Sequence, residues 1–301
     1  MPLIVTGSIG IDHIEAPTGE AKESLGGSSV YFSAAASFFA PVRLVGAVGD
    51  DFPNRFIETI ESFKGVDTAG LEIRTGSKTF RWHGKYHENM NHRDTLETQL
   101  NVLGEALPPI PEAYRDSKYV FLANTHPAGQ LALLKEFPDH TLVVADTMDL
   151  WIETERPILL DLLKQIDGLV LNDSEATMLT EESNIVNAAD AILKLGPKFV
   201  VIKKGEHGAL LRHADGHAVL PAYPAANVVD PTGAGDSFAG GMMGSLAASG
   251  ELSLPSLTKA MACGTVVASY LIEAFSLTKL QEIDRATIDA RLNEYRAMMT
   301  F

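Results

Sequence analysis

Apolar residues recur along the 301-residue chain with two different periods, and the change between them divides it. Short continuous apolar runs, Leu3–Thr6 and Val42–Val48, alternate with helix-like segments over Ser28–Ala40, which ends at Pro41, and near Phe52–Phe63. Continuous runs fit strands buried on both faces, and the strand–helix alternation predicts a parallel sheet covered by helices. From about Leu71 to Leu100 the period falls to two: Phe80, Trp82, Gly84 and Tyr86 share one face, and Arg81, His83 and Lys85 share the other. That pattern predicts half-exposed antiparallel strands forming a small lid, which the strand-like Ile9–Glu15 joins.

After the proline-rich break at Pro108–Pro111 the first rhythm resumes. Strands are expected at Tyr119–Leu122, Leu142–Ala145, Gly168–Leu171 and Phe199–Lys203, with helices after His126-Pro127, near Arg156–Gln165 and at Ala188–Leu195. Two shorter strands, near Ala209–Arg212 and His217–Leu220, precede closing helices at Gly233–Ser249, Ser256–Leu271 and Ile283–Met298. The expected architecture is one α/β domain over 1–301: a doubly wound, mainly parallel sheet with helices on both faces, and a β lid from about 9–16 and 71–101.

Composition narrows the partners. A net charge of −15 argues against a broad nucleic-acid or anionic-membrane surface, yet leaves room for a nucleotide held locally by backbone amides and metal. The one cysteine, Cys263, lies in the apolar run AMACGTVVASYLI and reads as a buried structural thiol, which excludes a disulfide framework. No basic region precedes the first apolar run, and no stretch approaches the ~18 apolar residues of a membrane span, so the cytoplasm is the expected compartment.

The segment Asp230–Gly241, DPTGAGDSFAGG, carries the clearest chemistry. Gly233, Ala234 and Gly235 have almost no side chain, and a small-residue helix follows. Such a helix start leaves N–H groups uncovered beside the positive end of the helix dipole, and it binds anions, phosphate above all. Asp236 stands one residue beyond this cradle, where a carboxylate and a phosphate repel. Removing the proton of a hydroxyl that attacks a phosphoryl group gives that carboxylate a purpose. A glycine-rich turn before a buried helix, with Asp236 favoured by the dipole, accounts for the same letters without chemistry.

DPTGAGDSFAGG resembles the C-terminal signature of the ribokinase-like (PfkB) family of carbohydrate and nucleoside kinases. The resemblance extends to Gly26-Gly27 near the start, the lid insertion, Asn172-x-x-Glu175, and the turn Lys203-Lys204-Gly205-Glu206-His207-Gly208. It implies ATP-dependent phosphoryl transfer to a primary hydroxyl of a sugar, with Asp236 as general base and the Gly233, Ala234 and Gly235 backbone as anion hole. It implies that Asp12, Gly26 and Gly27 hold the acceptor, and that Asn172, Lys204, Gly205 and Gly208 bind ATP. Asn172 and Glu175 would serve Mg2+, through water, because a hard cation on phosphates takes oxygen ligands and keeps waters. Asp230 and Thr232 match the part of the signature that holds a monovalent cation, K+, in many relatives. Relatives also pair through the lid, and the Phe80, Trp82 and Tyr86 face would suit a homodimer.

Each match has a plainer local reading. Asn172-Asp173-Ser174-Glu175 is an ordinary helix start, Lys204 an exposed lysine, and Asp12 a turn or lid residue. One departure bears on the acceptor: many members carry Asn a few residues after the GG pair, whereas this chain has SSVYF, with Tyr31 near that place. A nucleoside kinase acting on a 5′-hydroxyl is therefore the alternative, with Phe80, Trp82 and Tyr86 stacking a base. A non-catalytic sugar- or nucleotide-binding protein is a further reading, opposed by the intact Asp236, Asn172 and Glu175. Action on a sugar phosphate would need basic residues, for which Arg43, Lys85 and Arg93 are the candidates. His83, His87, Glu88 and His92 match no known zinc spacing, and Lys85, Asn89, Asn91 and Arg93 read instead as lid contacts to a polar substrate. No GxxxxGK[ST], GxGxxG or HRD/DFG set is present.

Overall fold

The inner strands of the main sheet are apolar almost throughout because both of their faces are buried. The computed structural model describes residues 1–300; Phe301, the end of the expected domain, lies outside the described residues. In chain order the strands are β1 (Leu3–Thr6), β2 (Gly10–Ala16), β3 (Gly19–Gly26), β4 (Val42–Gly49), β5 (Val66–Arg74), β6 (Phe80–Tyr86) and β7 (Arg93–Gln99). They continue as β8 (Tyr119–Leu122), β9 (Leu142–Asp146), β10 (Gly168–Asn172), β11 (Phe199–Lys203), β12 (Ala209–His213) and β13 (Gly216–Leu220). The helices are α1 (Ser28–Ser37), α2 (Asn54–Ser62), α3 (Pro127–Leu134), α4 (Asp149–Thr154), α5 (Arg156–Leu163) and α6 (Asp173–Thr180). They end with α7 (Ile185–Lys194), α8 (Ala234–Ser249), α9 (Leu254–Leu271), α10 (Thr278–Gln281) and α11 (Arg285–Met298).

The 9-stranded main sheet has the order β13-β12-β11-β10-β9-β8-β1-β4-β5. Pairing is parallel from β11 through β5, and antiparallel only where β12 and β13 extend the edge. Successive residues of one strand feed opposite cores: Leu3 and Val5 pack with α1, α8 and α9, while Ile4 faces the core under α3, α5, α6 and α7. The chain leaves β1 toward β4 on one side and returns through β8 on the other. That reversal is the topological switch point at which open α/β sheets bind ligands, beyond the carboxyl ends of the strands.

Helix α8 packs against β1 and β8 at this switch point and against α1 and α9. Its small-residue sequence follows from the closeness of those helices. A Cβ on Gly240 would meet the Phe32 carbonyl, and Gly241 and Gly264 face each other across α8 and α9. Among the described residues no helix is long and apolar enough to cross a membrane.

The lid is a 4-stranded sheet, β3-β2-β6-β7. Its hairpins β2/β3 and β6/β7 are antiparallel and are joined through parallel pairing of β2 with β6. Two expectations need correction here. Residues 71–74 do not belong to the lid, because they pair with Gly46–Gly49 as the end of β5. Strand β3 was not expected, because Glu20–Ser24 is polar and mostly exposed and shows no apolar alternation.

Candidate active site

Gly233 opens α8 with φ 76°, and a Cβ there would overlap the Tyr31 ring, so both backbone geometry and packing require glycine. The Ala234 amide donates to the Pro231 carbonyl at 3.1 Å and closes the turn. It is therefore spent, contrary to the expectation that all three residues offer amides. The Gly235 and Asp236 amides take no hydrogen-bond partner among the described residues, as expected of the first turn of a helix. Above this turn lies the Lys203 ammonium: a Cβ on Gly235 would stand 2.8 Å from Lys203 Nζ. Bare amides and a cation thus converge on one spot.

Three side chains reach that spot from the carboxyl ends of neighbouring strands. Lys203 ends β11, Asn172 ends β10 opposite it in register, and Asp146 ends β9. Lys203 Nζ lies 3.9 Å from Asp146 Oδ2. Burial alone would lower the lysine pKa, but the carboxylates of Asp146, Glu175 and Asp236 outweigh it and raise the pKa, so the ammonium persists. Burial, with Asp146 adding to it, pushes Asp236 up to about 7 against the opposing charges of Lys203 and Arg93. Glu175 is likewise pushed to about 7, first by burial and then by Asp146.

Asn172 and Glu175 form a reciprocal capping box at the start of α6. Asn172 Oδ1 accepts from the Glu175 amide at 2.8 Å, and Glu175 Oε2 accepts from the Asn172 amide at 2.7 Å. The plain helix-start reading of this motif is thus correct. The half-buried Glu175 carboxyl, raised by burial and by the Asp146 charge, belongs in addition to the carboxylate cluster. All donors here are oxygens, from Asp146, Asn172 and Glu175, and such a set fits a hard cation such as Mg2+.

On the other side of Asp236 lies a second group. Asp12, on β2, is 4% exposed, and its carboxylate occupies the space that a side chain on Gly26 would need. Burial, then Asp230 and Asp236, push Asp12 to about 8. Gly27 holds φ 106° as it opens α1, pressed against the Ser8 carbonyl. Asp230 Oδ1 accepts from the Thr232 amide at 2.9 Å, while its Oδ2 is buried without any hydrogen-bond partner. A buried carboxylate oxygen with no donor fits a cation, which is the donor chemistry a K+ site requires.

The lid closes over both groups. Thr232 Oγ1 and Tyr86 Oη are 3.2 Å apart, tying β6 to the signature loop. Asn91 donates to Glu206 at 2.9 Å, tying the β6/β7 turn to the Gly205–Gly208 loop, whose Gly205 and Gly208 have φ 53° and 89°. Trp82 stands opposite Asp12 in the β2/β6 register, and its indole lies across Gly84, where a Cβ would overlap it. The Arg93 guanidinium is 5.7 Å from the Trp82 ring centroid.

Several sequence expectations change at this point. The lysine at the cradle is Lys203, one residue before the expected Lys204, whose amide only closes the loop to the Gly208 carbonyl. The Phe80, Trp82 and Tyr86 face is turned toward Asp12 and Thr232, which removes the reason for pairing two copies through it. Lys85 pairs with Glu15 on the opposite face, and Arg43 binds Asp116 and Ser117 at the amino end of β4, away from the site. His87 pairs with Asp94, and among the described residues His83 groups with His13 and Glu15 rather than with His87, Glu88 and His92. Asp146 was missed because a lone carboxylate after LVVA carries no motif.

The fold and this convergence define a phosphotransferase site, and comparison with known proteins agrees. The model of the pfkB family carbohydrate kinase matches residues 17–282, and the chain belongs to that family. It is therefore an ATP-dependent kinase with an alcohol group of a sugar or nucleoside as acceptor, and the family uses Mg2+ with ATP. The cytidine kinase of Thermococcus kodakarensis is 31% identical over 250 residues, covering 81% of this chain and 87% of that one. The structure of a Burkholderia thailandensis nucleoside kinase in complex with inosine superposes with a TM-score of 0.79 at 20% identity, over 97% of each chain. Aminoimidazole riboside kinase from Salmonella enterica, complexed with aminoimidazole riboside and an ATP analogue, gives 0.77 at 20% identity, over 97% of this chain and 100% of that one.

Proposed function

We propose that this kinase transfers the γ-phosphoryl group of ATP to the 5′-hydroxyl of a ribonucleoside. The observation that carries the nucleoside over the free sugar is Trp82, an indole packed across Gly84 on the inner face of the lid, opposite Asp12 in register. Aromatic faces bind planar bases by stacking. The likeness to the cytidine kinase supports the same choice. Arg43 and Lys85 are engaged away from the site, which leaves Arg93 alone of the three candidates for a second phosphate and disfavours a sugar-phosphate acceptor.

In this reading Asp12 accepts hydrogen bonds from the vicinal ribose hydroxyls, over the bare backbone of Gly26 and Gly27. The base lies against Trp82. Asp236 takes the proton of the 5′-hydroxyl as its oxygen attacks phosphorus in line. The Gly235 and Asp236 amides and the Lys203 ammonium hold the charge that spreads over the transferring group. ATP lies along the ends of β10 and β11, with its phosphates over Gly205 and Gly208. Asn172, Glu175 and Asp146 would hold Mg2+ through water, and that ion would supply positive charge to offset the phosphates. Asp230 Oδ2 and Thr232 would hold a monovalent cation. The Tyr86–Thr232 and Asn91–Glu206 contacts keep water out once both substrates are bound.

The test is the position of the new phosphate. Incubation with MgATP and each of cytidine, inosine, adenosine, guanosine and ribose, followed by phosphorus NMR of the products, should give a nucleoside 5′-monophosphate. Phosphorylation of ribose alone would return the reading to a sugar kinase, and phosphate on a secondary hydroxyl would misplace the acceptor against Asp236.

A further inference from the structure

We propose that His13, Glu15 and His83, on the outer face of the lid, form a binding site for a divalent transition-metal ion of the zinc class.

The lid alternates strictly along β2 and β6. Asp12 and Ile14 turn inward with Trp82 and Tyr86, so His13 and Glu15 turn outward with His83 and Lys85. Parallel pairing sets His13 opposite His83, and their rings stack with centroids 3.9 Å apart at 8°. One donor atom from each of His13, Glu15 and His83 lies within 4.8 Å of the other two. Two cross-strand imidazoles and a carboxylate two residues along one of the strands thus lie side by side, and a turn of the stacked rings about their side-chain bonds would bring their nitrogens onto one ion.

The surroundings hold those donors in place. Glu15 Oε1 is 3.1 Å from His83 Nε2, while its Oε2 is engaged by Lys85 at 3.2 Å. Glu20, opposite Glu15 on β3, reaches His13 Nε2 at 2.7 Å and itself contacts Lys22 at 3.3 Å. Carboxylates beside ligating imidazoles are the partners that fix ring orientation in metal sites. The donor side chains are 32%, 31% and 23% exposed for His13, Glu15 and His83, so an ion can enter but the donors are not free tails.

Donor chemistry decides the ion. Two imidazole nitrogens with one carboxylate oxygen suit Zn2+, Ni2+ or Cu2+, and three protein ligands leave a position for water. Mg2+, which takes oxygen donors, is a poor match here and a good one at Asp146, Asn172 and Glu175. The site lies on the reverse of the two strands that carry Asp12 and Trp82, so an ion here would cross-link β2 to β6 behind the acceptor pocket.

The test uses the full chain, stripped with chelator and kept in excess Mg2+ to occupy the oxygen-only sites. Zn2+ is titrated by calorimetry, and Co2+ is followed by its visible absorption. One equivalent of each ion should bind. His13→Ala and His83→Ala should each weaken Zn2+ binding by at least about tenfold and abolish the Co2+ band, since even outer ligand partners matter by about 10- to 100-fold. Glu15→Gln, which keeps shape and removes charge, should weaken it in the same direction, and His87→Ala should leave it intact. Circular dichroism confirms folding, and His13→Asn and His83→Asn replace any alanine variant that fails it. Absence of binding by the parent, or equal binding by the His13 and His83 variants, would overturn the proposal.

Discussion

The two sides of Asp236 solve the problem of buried charge differently. On the donor side, Asp146 and Glu175 share the ammonium of Lys203, and the cluster is partly neutralised before any ligand binds. On the acceptor side, Asp12 and Asp230 have no cation near them among the described residues. Asp12 is pushed up to about 8 by burial and by like charges alone, and Asp230 keeps an orphaned oxygen. The donor side must receive a polyanion and so needs standing positive charge. The acceptor side must receive neutral hydroxyls, whose hydrogen bonds favour the ionised form of Asp12 and so draw off its proton as they bind. Its electrostatic strain is relieved by substrate hydroxyls and by a cation at Asp230.

Variants can break this contrast at decreasing cost. Asp236→Asn removes the group shared by both sides and should lower kcat on the order of 10²-fold or more. Lys203→Met should lower kcat on a similar scale, about 10²-fold, as expected for a lost charge stabiliser, whereas Lys204→Met should change it only a few-fold. Equal effects from the two lysines would dissolve the donor-side account. Asp12→Asn should raise the acceptor KM by about 10- to 100-fold, the worth of hydrogen bonds to a charged group, and leave the KM for ATP nearly unchanged. Trp82→Ala should raise the nucleoside KM by up to about tenfold without altering any turnover of free ribose.

The raised carboxyls also set a pH dependence. Asp12 titrates at about 8 in the folded protein against 3.8 ordinarily, so between those values the folded state holds a proton that the unfolded chain has lost. Its contribution is therefore most favourable at low pH and is lost as pH rises from about 4 through about 8. Asp12→Asn should raise Tm relative to the parent at pH 8 and hardly at pH 4, as read by thermal melts. Asp236, at about 7, must be deprotonated to act as a base, so kcat/KM should fall on the acid side of about 7.

Legibility followed the kind of signal each residue leaves. The parallel sheet was plain because LIVT, YVFL and FVVIK are apolar up to the Thr6 and Lys203 that end two of them, and the signature around Asp236 was plain because glycines, a proline and two carboxylates stand in fixed order. Lys203 and Lys204 are adjacent and chemically identical, and only strand register, which sets Lys203 beside Asn172, distinguishes them. Asp146 enters the cluster through tertiary packing of β9 and has no local pattern to announce it, whereas Arg93 was legible as a lid residue but not as a neighbour of Asp236. Strand β3 is held by hydrogen bonds to β2 rather than by apolar burial, so its polar sequence concealed it. The outward pair His13 and His83 lies 70 residues apart in sequence and meets only because β2 and β6 run parallel.

ADP release from MgATP, measured for the parent and Asp236→Asn with cytidine, inosine, adenosine, guanosine and ribose, addresses the central claim most directly. The account predicts turnover with at least one nucleoside, lost in the variant while calorimetry still detects nucleoside binding. Near-normal turnover in Asp236→Asn, or turnover with ribose and none of the nucleosides, would contradict it.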